Sequence, residues 1–110
     1  MSGGFDEREK SYEAKWAHDE DLRFRSLARR NKLLGHWAAD ILGLTDAAAE
    51  SYVNVLLDLD VKGASDEEFV RKIHGDFAAR NIAYSEHFVR RKMDELASLA
   101  TDQVMSETKP

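Results

Sequence analysis

Apolar residues recur along this chain at intervals of three and four positions, which is the period of an amphipathic helix. The spacing predicts four helical blocks, and apolar residues nowhere alternate with polar ones over the length of a strand. The first block runs from about Asp6 to Leu42, which as one straight helix is about 55 Å long. A small domain cannot cover that length, so we expect a break near His18–Asp21, with Asp19 capping the second segment. Phe24, Leu27, Asn31, Leu34, Ala38 and Ile41 continue along one face of that second segment at intervals of three and four, and all but Asn31 are apolar.

Residues typical of helix ends separate the remaining blocks. The expected boundaries are Gly43, Thr45, Gly63, the capping box Ser65–Glu68, Asn81 and Ser85. The side chains expected in the core are Tyr52, Val53, Leu56 and Leu59, then Phe69, Ile73 and Phe77, then Val89, Met93, Leu96, Ala100 and Val104. Because short connectors make sequential helices antiparallel neighbours, the pattern predicts an all-α fold, a small four-helix bundle with a long or broken first helix. We expect a single domain over residues 1–110, in which residues 21–106 form the bundle.

Composition narrows the class of protein. The chain has 110 residues, 43% of them hydrophobic and 34% charged, with a net charge of −5 and no cysteine. Without cysteine there are no disulfides or thiolate metal sites, which favours a reducing cytoplasm. Net acidity argues against a nucleic-acid-binding protein. No apolar run reaches the roughly 18–20 residues of a membrane span, and no signal peptide is evident, so we expect no membrane insertion.

The residue spacing does not support any of three kinds of chemical site. The stretch DLDVKGASDEEF has calcium-loop spacing at Asp58, Asp60 and Gly63, but Lys62 and Phe69 stand where oxygen ligands are required. A helix end followed by a capping box explains it instead. The four histidines have no metal-binding spacing, and no phosphate-binding glycine motif or nucleophile–histidine–carboxylate set is apparent. We therefore expect neither an enzyme nor a metal site.

Two features remain for function. The first is the aromatic stripe Phe5, Tyr12 and Trp16 on the otherwise charged segment 5–21. This stripe either packs on the bundle or belongs to a segment, weakly ordered when free, that folds onto a partner groove. The second is a basic block, residues 22–36, which carries five bases and no acid. It either pairs with the acidic second helix or holds a phosphate-bearing ligand or an acidic protein.

The chain resembles the zeta subunit family of alphaproteobacterial F-type ATP synthases, most strongly over about the first 44 residues. The resemblance is carried by Phe5, Arg8-Glu9, Glu13-Ala14-Lys15, Ala17-His18-Asp19, Phe24, Ala28-Arg29-Arg30-Asn31, Leu34-Gly35 and Trp37-Ala38-Ala39. The later stretches EEFVRKIHGDF and SEHFVRRKMDELASLA resemble the family's last two helices more loosely.

The resemblance implies a four-helix regulatory subunit that inhibits ATP hydrolysis. Its N-terminal segment, residues 1–20, would bind the catalytic alpha and beta subunits and the rotor gamma subunit. The residues matching that segment are Phe5, Arg8, Glu9, Tyr12, Glu13, Lys15, Trp16 and His18. The protein would be a monomer when free, cytoplasmic, and peripheral to the inner membrane when bound to the synthase.

Weak ATP or ADP binding is also associated with this fold, although no cofactor is required. The candidate residues for it are Arg25, Arg29, Arg30 and Lys32. The alternative function is accordingly an adenine-nucleotide sensor module without direct inhibitory action.

Overall fold

A computed structural model describes residues 20–108. In that range the chain forms four helices and no strand, in the order α1 (Glu20–Ile41), α2 (Asp46–Val61), α3 (Asp66–Ala79) and α4 (Glu86–Thr108). The predicted all-α four-helix fold is confirmed. The segment before residue 20, its expected weak order and the capping role of Asp19 lie outside the described residues. Within residues 20–108 no helix is both long and apolar enough to cross a bilayer.

The first three helices end as their sequences predict. Gly43, Gly63 and Asn81 have φ angles of 75°, 80° and 61°, in the left-handed region that glycine and asparagine tolerate best. In each case the next residue donates its N–H to the carbonyl five positions earlier, at 2.9 to 3.0 Å. These bonds satisfy helix carbonyls that would otherwise have no partner. Local backbone chemistry therefore determines all three ends.

The predicted helix starts are confirmed, with one difference in chemistry. The Ser65 hydroxyl accepts a hydrogen bond from the backbone N–H of Glu68 at 3.3 Å. The Ser85 hydroxyl likewise accepts from the N–H of Phe88 at 3.0 Å. Thr45 precedes α2 in extended backbone conformation, but its side chain makes no capping hydrogen bond. Two of the three starts are thus held by a side-chain cap.

The core lies between all four helices. Its buried apolar side chains are Leu34, Ala38, Leu42, Leu56, Phe69, Val70, Ile73, Phe77, Val89, Met93 and Leu96. Every member of the stripe predicted for α4 is buried, including Ala100 and Val104 near its end. Tyr52 and Leu59 of α2 pack against this core while partly exposed.

The stripe predicted for α1 is only partly buried. Asn31, Leu34 and Ala38 are fully enclosed, whereas Phe24 is 69% exposed and Leu27 38% exposed. Phe24 and Leu27 belong to the predicted stripe but lie in the first two turns of α1, where the stripe is exposed.

The position of α2 explains this exposure. A Cβ on Gly35 would lie 3.0 Å from the Cα of Val53, so these residues face each other across the α1–α2 contact. The two helices are antiparallel and rise about 1.5 Å per residue, so Val61, the last residue of α2, comes level with roughly Leu27. Phe24 therefore lies beyond the end of α2.

Candidate functional site

The eight residues assigned to partner binding cannot be placed in the fold. Phe5, Arg8, Glu9, Tyr12, Glu13, Lys15, Trp16 and His18 lie outside the described residues. Their role stays a prediction from the sequence. The structure does describe the helix that follows them and the whole basic block, which together form the candidate site.

The first turns of α1 lie against the last turns of α4, and we call residues 20–31 with residues 97–108 the α1–α4 arm. Polar contacts join the two helices of this arm. Ser26, itself buried, shares a hydrogen bond of 2.9 Å with the Thr101 hydroxyl. Arg29 donates to the Gln103 side chain at 2.8 Å and to Glu107 at 2.8 Å. Hydrogen bonds and an ion pair thus hold the two helices of the arm together.

The carboxylate of Glu107 pairs with two arginines of the basic block. Both terminal nitrogens of Arg29 reach its carboxylate at 2.8 Å, which is the two-pronged geometry that arginine favours with carboxylates. Arg25 lies 3.7 Å from the same group. The hydrogen bond from Arg29 lowers the pKa of Glu107, and the charges of Arg29 and Arg25 lower it further. The same hydrogen bond raises the pKa of Arg29.

Arg30 is buried and links α1 to α3. Its Nε donates to the Asn31 side-chain oxygen at 3.0 Å, and Nη1 donates to Asp66 at 3.0 Å. Its guanidinium also lies over the ring of Phe69, 5.7 Å from the centroid. Arg90 of α4 reaches the other oxygen of Asp66 at 4.0 Å. The structure therefore brings Arg30 and Arg90 together on one carboxylate.

The nucleotide-binding candidates do not form one cluster. Arg25 and Arg29 point to Glu107 on α4, whereas Arg30 points to Asp66 on α3. Lys32 is exposed. Pairing with the acidic α2 was one of the two alternatives that the sequence left open, and the carboxylates that pair with the basic block lie instead at the end of α4 and the start of α3.

An exposed apolar surface adjoins the arm on α1. Glu20, Arg23, Phe24 and Leu27 line a shallow recess of about 140 Å³. Arg23 is exposed and forms no ion pair with another described residue. The helical period marked Phe24 and Leu27 as apolar positions but could not show that their side chains stay on the surface.

A second surface, which the sequence did not indicate, surrounds the start of α4. Tyr84 and Phe88 stack with ring centroids 4.4 Å apart, and both are about two-fifths exposed. Trp37 contacts Phe88 at 5.9 Å, and Lys92 lies 6.0 Å from the Trp37 ring. Tyr84 precedes α4 and Phe88 lies in its first turn. The contact between their rings therefore depends on the turn at Ser85. This cluster joins α4 to α1 through the contact between Phe88 and Trp37.

The described residues were compared with the side-chain groupings that hold metal ions. Among residues 20–108 no three His, Cys, Asp or Glu side chains are grouped so that they could hold a metal ion. The arrangement of an exposed apolar recess beside arginine–carboxylate pairs is suited to protein binding, in which apolar contacts supply affinity and charges supply orientation.

The comparison with known proteins also covers the N-terminal segment, which precedes the residues that the structure describes. The family model described as ATPase inhibitor subunit zeta matches residues 1–103 of the 110. That range covers the aromatic segment, helices α1 to α3 and most of α4. A search of curated proteins found no match.

Proposed function

This chain belongs to the ATPase inhibitor subunit zeta family, and from that premise we propose that it binds the catalytic head of an F-type ATP synthase and inhibits ATP hydrolysis. One observation carries the proposal: the family match begins at residue 1 and therefore includes the aromatic, charged N-terminal segment as well as the bundle. The protein on this proposal is a regulatory subunit without a catalytic site of its own.

The proposed mechanism assigns different tasks to the two parts of the chain. Residues 1–20 dock between the catalytic alpha and beta subunits near the rotor gamma subunit, and residues 21–106 form the bundle that carries them. Tyr12 and Trp16 serve as aromatic anchors, since aromatic side chains dominate binding energy at many interfaces. Arg8 and Lys15 pair with carboxylates of the partner. The free protein is a monomer in the cytoplasm and becomes peripheral to the inner membrane on binding.

The bundle supports this division of tasks. Its described core already joins side chains from all four helices, from Leu34 on α1 to Leu96 on α4. The proposal assigns the aromatic residues of the N-terminal segment to a partner and not to this core. An amphipathic helix laid into an apolar groove is a common form of such recognition.

The test is ATP hydrolysis by the synthase head of an alphaproteobacterium. The full chain is expected to inhibit hydrolysis, and a version lacking residues 1–18 is expected to lose inhibition while keeping its helical circular dichroism spectrum. Equal inhibition by the two chains would contradict the N-terminal mechanism. Inhibition by neither would contradict the proposed function.

Substitution of the anchors refines the test. The double variant Tyr12→Ala/Trp16→Ala should bind the head at least about tenfold more weakly, because aromatic hot spots are typically worth about 2 kcal/mol or more. Val55→Ala is the matched control, since Val55 is an exposed apolar residue on α2. This variant should inhibit as well as the unmodified chain.

The alternative function, an adenine-nucleotide sensor, assigns ATP or ADP to Arg25, Arg29, Arg30 and Lys32. A phosphate would have to compete with Glu107 for Arg29 and with Asp66 for Arg30. Backbone amide shifts during titration with millimolar ATP test this idea. Shifts centred on the basic block would support it, and an unchanged spectrum there would exclude it.

A further inference from the structure

We propose that Glu107, with Arg25 and Arg29, forms a clamp that positions the N-terminal segment for the inhibition of ATP hydrolysis. This inference rests on the proposed function and adds to it a role for the α1–α4 arm. The clamp acts without touching the synthase: it fixes the direction in which α1 begins, at Glu20, directly after residues 1–19. The three side chains are positioning residues, whose loss weakens inhibition while the bundle stays folded.

The first turns of α1 depend on the arm because the core begins further along the helix. The first core residue on α1 is Leu34, and among residues 20–29 only Ser26 is buried. Roughly 15 Å of helix separates Glu20 from the buried Arg30. A tilt of about 10° over that length moves the start of α1 by about 2–3 Å. The contacts that hold this length against α4 therefore determine where the N-terminal segment starts.

Two side chains of α1 meet one carboxylate in the clamp. Arg29 donates to both oxygens of Glu107 at 2.8 Å, and Arg25, one turn earlier, lies 3.7 Å from the same group. Glu107 belongs to the last turn of α4. Because a two-pronged arginine–carboxylate pair fixes orientation as well as distance, it holds the direction of α1 relative to α4. The lowered pKa of Glu107, caused first by the Arg29 hydrogen bond, keeps this carboxylate charged at neutral pH.

The exposure of the clamp distinguishes positioning from stabilisation. Its three side chains are between 30% and 45% exposed, and ion pairs as exposed as these contribute little to the free energy of folding. Such a pair still restricts the direction of a helix. Restricting a binding segment before it docks reduces the entropy that is lost on association. Loss of the Glu107 charge should therefore change inhibition more than it changes the thermal unfolding midpoint.

The experiment measures inhibition of ATP hydrolysis by full-length charge variants, together with the thermal unfolding midpoint of each. Glu107→Lys should raise the concentration that gives half inhibition about tenfold, because it places like charges beside Arg25 and Arg29. The double variant Arg29→Glu/Glu107→Lys restores a pair of opposite charges at the clamp. It should return inhibition to within about threefold of the unmodified chain, with the remainder due to the nearby Arg25. Such a rescue depends on the pair and not on either residue alone.

Two controls separate the clamp from net charge and from stability. Glu95→Lys makes the same charge change on α4 outside the arm, where Glu95 pairs with Lys92 of its own helix at 3.2 Å. Ser85→Ala removes the hydrogen bond that caps α4, so it lowers the stability of the bundle without altering the arm. Both variants should inhibit as well as the unmodified chain.

Each adverse outcome has a separate meaning. If the unmodified chain does not inhibit, the proposed function fails. If it inhibits and Glu107→Lys inhibits equally well, the clamp fails and the proposed function stands. Weaker inhibition that the double variant does not restore would indicate direct contact with the synthase, and an equal loss in Glu95→Lys would indicate a net-charge effect. Stronger inhibition by Glu107→Lys would mean that the arm has to open before the segment docks. Each of these last three results would overturn the positioning role.

Discussion

At the scale of single residues, Gly35 shows how closely α1 and α2 pack. An added Cβ would lie 3.0 Å from the Cα and 3.1 Å from the Cγ2 of Val53. Because backbone cannot move aside without shifting α2, we expect Gly35→Ala to lower the free energy of unfolding by about 1–2 kcal/mol, in spite of alanine's better helix propensity. Urea unfolding followed by circular dichroism measures this change.

Gly75 provides the matched control for that substitution. It lies in α3, is exposed, and an added Cβ would meet nothing within 4 Å. Gly75→Ala should therefore raise the free energy of unfolding by about 0.5–1 kcal/mol. If both alanine variants were more stable than the parent, the close α1–α2 contact would be wrong.

Tyr52 joins α2 to α3 through a hydrogen bond from its hydroxyl to Asp76 at 2.7 Å. Burial, and then this hydrogen bond, raise the pKa of Tyr52. A raised pKa means that folding stabilises the protonated phenol, so this stability is complete below about pH 10 and is lost as pH rises further towards the folded-state pKa. Tyr52→Phe should lower the free energy of unfolding by about 1 kcal/mol at pH 7. Above pH 10 this variant should lose less stability with rising pH than the unmodified chain does. Denaturant unfolding between pH 7 and 11 tests both.

Tyr84→Phe separates the Tyr52 effect from general alkaline unfolding. Tyr84 is exposed, and its described contacts are ring contacts with Phe77 and Phe88. This variant should keep the steep alkaline loss that Tyr52 causes. An identical pH profile for Tyr52→Phe and the parent chain would argue against the Asp76 bond.

At the scale of helices, the three described starts offer a comparison of capping. Ser65 and Ser85 accept hydrogen bonds from backbone N–H groups of α3 and α4, whereas the Thr45 side chain makes no such bond to α2. Ser65→Ala and Ser85→Ala should each lower the free energy of unfolding by about 1 kcal/mol, and Thr45→Ala by less than about 0.5 kcal/mol. Thermal or urea unfolding of the three variants decides this. An equal cost at all three positions would show that Thr45 caps α2 in solution.

At the scale of the whole molecule, Arg29 and Glu107 connect the start of the described chain to its end across 78 positions. Since the pKa of Glu107 is lowered in the folded state, its contribution is present above the ordinary carboxyl pKa, about 4.3, and is lost as pH falls through the lowered value. Both side chains are partly exposed, so we expect a small effect. Glu107→Gln should lower the unfolding midpoint slightly at pH 7 and converge with the parent near pH 3.

Glu95→Gln is the control for the chain-end contact. Glu95 pairs with Lys92 on its own helix at 3.2 Å, so its loss does not loosen the arm. Amide hydrogen exchange should rise in residues 20–31 and 97–108 for Glu107→Gln and not for Glu95→Gln. Equal exchange in both variants would mean that the arm does not depend on Glu107.

The arm also relates the fold to the proposed inhibition. The helix that follows the proposed docking segment is held to α4 by polar contacts, while Phe24 on the same helix is exposed. On the proposed function, a partner that binds the N-terminal segment leaves the core at Leu34 and beyond intact.

The sequence alone determined the helices and their ends. Glycine or asparagine at a left-handed position, and serine before a helix, act through hydrogen bonds that span a few residues, so their effect can be inferred without knowing the fold. The apolar stripe of α4 could likewise be read from its period, because that helix is covered along its length. The family, too, was visible in the residue pattern of the first 44 positions, and the family match confirms it.

Tertiary structure decided which parts of those helices face a neighbour. The exposure of Phe24 and Leu27 depends on where α2 ends relative to α1, and the roles of Arg29 and Arg30 depend on Glu107 and Asp66, which lie 78 and 36 positions away. Helical period specifies direction around one axis and carries no information on the length of the helix packed beside it. For that reason the exposure of Phe24 and Leu27 and the ion pairs of the arm could be recognised only in the packed bundle.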